Sequence, residues 1–193
     1  MDCEKALLPI RFRFIAIQSF SVERNIAIVI ENTCCVTGHR SIPSNQIDEV
    51  RLRLQNEISS AVAQGFTRFI SGYAQGVDLL FAELVFLMME EMPQIQLEAA
   101  LPYRERFTRL LFDPKTKALL LAADKVHISC EEYSLAAFHI RNRYMVAQSA
   151  RIIAVHDGRQ TGGTAATLRY AHSKERDVRE ILIPPTAEKA GKP

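Results

Sequence analysis

Ser71-Gly72-Tyr73-Ala74-Gln75-Gly76-Val77-Asp78 is the stretch on which the fold turns. It follows a predicted strand at 68–71 and leads into a helical pattern at 77–91. Gly72 lets the chain turn sharply off the strand, and Gly76 removes a side chain where backbone could approach a ligand. A strand, a glycine turn and a helix start together present backbone N–H groups and a positive dipole end to an anion. Thr37-Gly38-His39-Arg40 and Thr161-Gly162-Gly163-Thr164 are two further turns of this kind, each after a predicted strand, and the latter again opens a helix. If the strands are parallel, all three turns gather along one edge of one sheet, where open α/β folds bind ligands. They point to a phosphate-bearing small molecule.

The rest of the chain supports that layout. Strands are predicted at 33–37, 68–71, 96–101, 125–129, 151–156 and 178–183. Between them, Ile47, Val50, Leu54, Ile58 and Val62 mark one apolar helix face, with Gly65 as its stop. Further helices are expected at 77–91, 106–123 (broken at Asp113-Pro114), 136–149 and 164–173. Strands and helices alternating at this spacing imply right-handed crossovers and a mostly parallel sheet covered on both faces. One domain, 31–183, is expected. Residues 1–30 lack a clear period and are expected to be peripheral, poorly ordered or outside the native product. Residues 184–193 are read as a disordered tail.

Composition narrows the function classes. The chain has 193 residues, 48% hydrophobic and 24% charged, enough for one domain with a real core. A net charge of +2, from 24 basic and 22 acidic residues, argues against a dedicated nucleic-acid binder, though it leaves room for a local basic patch. Cys3, Cys34, Cys35 and Cys130 form no CxxC pair, so neither a metal site nor a disulfide framework is expected. No apolar run reaches the ~18 residues of a membrane span. The segment before residue 31 shows neither a continuous signal-peptide core nor a small-residue cleavage site, so a cytoplasmic location is expected.

Each turn carries two readings. Asp78 either complements the helix dipole or serves a ligand; Glu83 lies roughly 140° further round the helix, so the two are not an obvious acid/base pair. Thr161 to Thr164 is either a flexible surface turn or a nest for oxyanions. Arg40 is either a solvated charge or a bidentate phosphate ligand, and His39 a potential acid or base with no partner identifiable from the sequence. Arg141-Asn142-Arg143 is read as beginning a helix, where cations would oppose the dipole and so answer to a ligand, one of the two arginines facing water. GxxxxGK[ST], GxGxxG, HExxH and GxSxG are all absent, against a P-loop NTPase, an ordinary dinucleotide oxidoreductase, a zinc protease and an α/β-hydrolase.

Residues 33–183 resemble the SLOG superfamily, the Rossmann-like group that contains DprA and the LOG phosphoribohydrolases, and within it the YpsA/YoqJ-like bacterial proteins. The likeness rests on Cys34-Cys35-Val36-Thr37-Gly38-His39-Arg40, the turn from Ser71 to Asp78 with Glu83 beyond it, Arg141-Asn142-Arg143-Tyr144-Met145-Val146, and Asp157-Gly158 through Gly162-Gly163-Thr164. It implies a three-layer α/β/α fold and a pocket for a nucleotide or an ADP-ribose-like derivative. Thr37, Gly38, Arg40, Ser71, Gly72, Gly76, Asp78, Arg141, Asn142, Gly162, Gly163 and Thr164 are its candidate ligand-binding residues. LOG enzymes carry Pro-Gly-Gly-x-Gly-Thr-x-x-Glu. Here Thr161 stands for the Pro and Thr167 for the Glu, so LOG-type hydrolysis is not carried over. Should the protein be an enzyme acting on an N-glycosidic or phosphate bond, His39, Asp78 and Glu83 are its candidate catalytic groups. Binding of a nucleotide-like ligand is the leading expectation, with hydrolysis and DprA-like single-stranded DNA binding as alternatives. A homo-oligomer is allowed.

Overall fold

The computed structural model describes residues 30–184. The expectations for the segment before Ile30 and for the tail after Pro184 lie outside the described residues.

Six parallel strands form one sheet in the order β4-β3-β2-β1-β5-β6: β1 (Thr33–Gly38), β2 (Arg68–Ser71), β3 (Gln96–Tyr103), β4 (Lys125–Cys130), β5 (Arg151–His156) and β6 (Asp177–Leu182). Six helices connect them: α1 (Ile47–Ala63), α2 (Val77–Glu91), α3 (Arg104–Leu110), α4 (Pro114–Ala122), α5 (Leu135–Ala147) and α6 (Gly163–Ser173). The fold is Rossmann-like α/β, and the sheet is parallel throughout.

Burial explains the strands. β1 and β5 are covered on both faces and read as continuous apolar runs, Thr33-Cys34-Cys35-Val36 and Ile152-Ile153-Ala154-Val155. The edge strand β6 keeps Asp177, Arg179 and Glu180 toward solvent, which discourages pairing with another chain. Helix α1 buries Val50, Leu54, Ile58 and Ala61; Ile47, expected on that face, is 40% exposed because it lies in the helix's first turn, outside the contact. The break in the 106–123 pattern is real. The Asp113 side chain accepts from the Thr116 N–H at 2.8 Å and Pro114 starts α4.

The chain builds outward from β1 to β4 with α1, α2 and α4 packed on one face. It then returns to the other side of β1. Right-handed crossovers allow that return only on the opposite face, and there Met145 and Val146 of α5 and Ala171 of α6 pack against Cys35, Ile70, Ala100 and Ile152. Chain direction therefore reverses between β1 and β5. Their register sets Thr37 beside Ala154 and Gly38 beside Val155, so both strands end level at the crevice.

Candidate functional site

A cleft of about 590 Å3 opens over the carboxyl ends of β1 and β5. Thr37, Gly38, His39 and Arg40 supply one wall, Asp78 and Arg141 the floor, Phe138, His139 and Asn142 of α5 a second wall, and Gly162, Gly163 and Thr164 the lip. Ten of the expected site residues thus come together. Ser71, Gly72, Gly76 and Glu83 do not line it.

The three turns play different parts. Ser71 is fully buried; its Oγ donates to the Asp78 carbonyl at 2.7 Å and accepts the Tyr73 N–H at 3.2 Å. Tyr73 takes a left-handed φ of 51° and locks the loop through an O–H donated to the Leu119 carbonyl at 2.9 Å. A Cβ on Gly76 would lie 2.4 Å from the His39 carbonyl oxygen, and the Val77 N–H donates to that same oxygen at 3.1 Å. A Cβ on Gly38 would meet Val77 at 2.6 Å. The start of α2 is therefore closed on the β1 turn rather than left for an anion, and Gly76 makes room for the chain's own backbone. This corrects the equal weight given to the three turns.

The start of α6 is different. Gly162 has φ 93°, no side chain caps the helix, and the N–H groups of Gly163, Thr164 and Ala165 meet no acceptor among the described residues. A Cβ on Gly163 would meet nothing within 4 Å. The unanswered donors and the positive end of the dipole face the cleft. Thr167 Oγ1 donates to the Gly163 carbonyl at 2.8 Å and accepts from Asn142 Nδ2 at 2.8 Å, tying α5 to the lip.

Arg141 lies in the second turn of α5, not at its start, because the helix begins at Leu135 behind a Ser134 cap. The dipole argument for this arginine therefore falls. Arg141 instead reaches across to Asp78, Nη1 to Oδ2 at 3.1 Å, with both side chains more than nine-tenths buried. Burial raises the Asp78 pKa, against the pull of Arg141 and of the Ala74 N–H. A Cβ on Gly72 would stand 1.2 Å from Arg141 Nη1 and 2.4 Å from Asp78 Oδ2, so this glycine exists to admit the ion pair. Arg143 is exposed and stacks on Tyr170 at 5.2 Å.

His39 has a partner that the sequence did not name. Its Nε2 lies 3.1 Å from the Asp157 N–H and 3.1 Å from Asp157 Oδ1. Asp157 also grips Arg159, whose hydrogen bonds hold the Asp157 carboxyl well below the usual range. His156 accepts the Gly158 N–H on Nδ1 at 3.1 Å, which leaves the proton on Nε2, donated to Glu180 at 2.7 Å. Glu83 faces a different groove, paired with Lys115 at 3.1 Å and Arg51 at 3.5 Å. Phe138 and Arg159 line the cleft without having been singled out; the Asp157-Gly158 pair was the nearest signal to Arg159, and nothing marked Phe138.

The comparisons agree on the family and the fold. The family model described as YspA SLOG family matches residues 34–183. The chain is 30% identical over 139 residues to the uncharacterized SPbeta prophage-derived protein YoqJ of Bacillus subtilis (strain 168), covering 62% of this chain and 81% of that protein. Among solved structures, DNA processing protein A from Helicobacter pylori, described for its single-stranded DNA binding mode, aligns with a TM-score of 0.58 at 15% identity, over 84% of this chain and 71% of that one. At that identity the likeness is one of fold. No described helix is long and apolar enough to cross a membrane.

Proposed function

The chain belongs to the YspA SLOG family, and on that premise we propose that it binds a nucleotide or nucleotide derivative, of the ADP-ribose type, in the cleft between β1 and β5. The observation that carries this reading is the open start of α6. Its first N–H groups lack acceptors among the described residues, and none of those residues has an atom that requires Gly163 to be glycine. A glycine that packing does not require, at the lip of a cleft on the switch point, is what backbone contact with a phosphate calls for. Arg40 lines the same cleft and supplies a planar donor fork. Phe138 and Tyr133 offer apolar surface to a base or sugar.

Calorimetry with ADP-ribose, AMP, NAD and cyclic nucleotides, on wild type and Gly163→Val, tests it. Binding by the wild type and loss in Gly163→Val is the expected result; equal binding by both proteins refutes the phosphate path.

One residue favours a hydrolytic second reading. Asp78 is a buried carboxylate at the cleft floor whose pKa burial raises, the kind of group that general acid–base catalysis uses. Nucleobase release from nucleoside monophosphates or NAD, absent in a folded Asp78→Asn variant, is the measurement that supports it. Binding of single-stranded nucleic acid, the property described for the Helicobacter pylori protein, draws support from the arginines at the cleft despite the near-balanced net charge. A steep fall of oligonucleotide affinity with salt would favour it.

A further inference from the structure

A second, smaller recess of about 110 Å3 lies beside the cleft, over the ends of β2 and β3. Arg40, Phe138 and Arg141 line both spaces, so the two share a wall; of these two spaces Tyr103 and Arg106 line only the recess, and Arg40 and Arg106 also border the groove that Glu83 lines. Three guanidinium groups therefore border one small volume. A carboxylate answers one of them, Asp78 on Arg141. Arg40 rests over the Phe138 ring at 5.2 Å, and Arg106 donates to the Tyr73 carbonyl at 3.3 Å; neither forms an ion pair among the described residues. Arg141 is 5% exposed, and its Nε has no hydrogen-bond partner.

Such a cluster is incomplete as protein alone. Burial pushes the Arg106 pKa down, Tyr103 opposes it, and the neighbouring charges of Arg40, Arg109 and Arg141 add to the fall. An arginine responds by recruiting an anion rather than by losing its proton. At about 30 Å3 per water, the recess holds the volume of about four waters, room for a phosphoryl or carboxylate group.

We propose that this recess is a second anion subsite, and that the full site takes a nucleotide carrying phosphates at two separate positions of its sugar. One phosphate would sit at the start of α6 and the other between Arg40, Arg106 and Arg141, with the nucleoside against Phe138. The proposal rests on the nucleotide reading of the cleft and narrows it to a ligand class. The same pair of phosphates occurs in a free nucleoside bisphosphate and in one step of a single strand.

Calorimetry with adenosine 3′,5′-bisphosphate and AMP tests it on wild type, Arg106→Gln and Gly163→Val, each first shown to unfold cooperatively. The bisphosphate is expected to bind wild type about tenfold or more tighter than AMP, as a charge-assisted contact implies. Arg106→Gln should erase that ratio and leave AMP binding intact, and Arg106→Lys should restore part of it. Equal affinities for the two ligands in wild type, with AMP still lost in Gly163→Val, overturn the second subsite while the nucleotide reading stands. Inorganic phosphate gives a probe that needs no nucleotide: in Gly163→Val, where the start of α6 is blocked, the remaining binding should be lost on adding Arg106→Gln, and indifference to Arg106 in that background refutes the recess. Displacement of the bisphosphate by a short oligonucleotide in an Arg106-dependent manner assigns the two phosphates to a strand; lack of displacement assigns them to the free nucleotide.

Discussion

Two glycines of the same residue type carry opposite information. At Gly72 the space a methyl would need is filled by the Arg141–Asp78 pair; at Gly163 it is empty. Gly72→Ala is therefore expected to break a buried ion pair and cost about 3–5 kcal/mol, whereas Gly163→Ala should move stability by less than about 1 kcal/mol. Urea unfolding of both variants reads the contrast directly. Asp157 allows a pH prediction. Its carboxyl is held by Arg159 below the ordinary range, so its folded pKa lies under its unfolded one. The contribution is present above the ordinary carboxylate pKa and is lost as pH falls through the depressed value. Because Arg159 is 47% exposed, solvent screening keeps the effect small. Asp157→Asn should then be less stable than wild type at neutral pH, and the gap should shrink on acidification well below the usual carboxylate range.

At the scale of elements, the join between β1 and α2 is set by one contact. Gly38 brings the end of β1 against Val77, and the Val77 N–H closes on the His39 carbonyl at 3.1 Å. Gly38→Ala should cost about 1–3 kcal/mol through overpacking, and Val77→Ala, which removes the two methyls at 2.7 Å but keeps the Cβ at 2.6 Å, should relieve it in part. A double-mutant cycle by chemical denaturation should show a favourable coupling between the two substitutions; strict additivity would contradict the contact. Elements were the most legible part of the sequence, for a physical reason. Strands buried on both faces carry an apolar centre and end in tight turns, so Phe69-Ile70 and Ile152 to Val155 announce theirs. The roles of the glycines were not legible. A sequence shows that a side chain is missing but not whether a ligand, a backbone or a neighbouring arginine occupies the space. Arg141 was misplaced although its helix was not: a helix expected from 136 already puts Arg141 in the second turn, where the argument from the N-terminal dipole does not apply. Arg106 and Phe138 reach the site through tertiary placement at the ends of β3 and β4, and their neighbours in sequence gave no sign of it.

Across the whole molecule, the site follows from strand order. Reversal of direction at β1 leaves the carboxyl ends of β1 and β5 uncrossed by any connection, and the turns after them must diverge to opposite faces of the sheet. The crevice is thus a property of the topology, while its charge comes from side chains that the helices carry to it. That division has a thermodynamic consequence. A ligand seated there bridges the β1 turn, α5 and the start of α6, which belong to both layers of core, so binding should stabilise the domain as one unit rather than a single loop. With a nucleotide at about a hundred times its dissociation constant, the unfolding free energy should rise by about 2.7 kcal/mol. Thermal melting followed in parallel by far-UV circular dichroism and by thiol labelling of Cys34 and Cys35, which are buried in the two separate core layers, should report the same upward shift. In Gly163→Val neither probe should respond. A shift seen by one probe alone would mean that the ligand holds one layer and not the crevice between them.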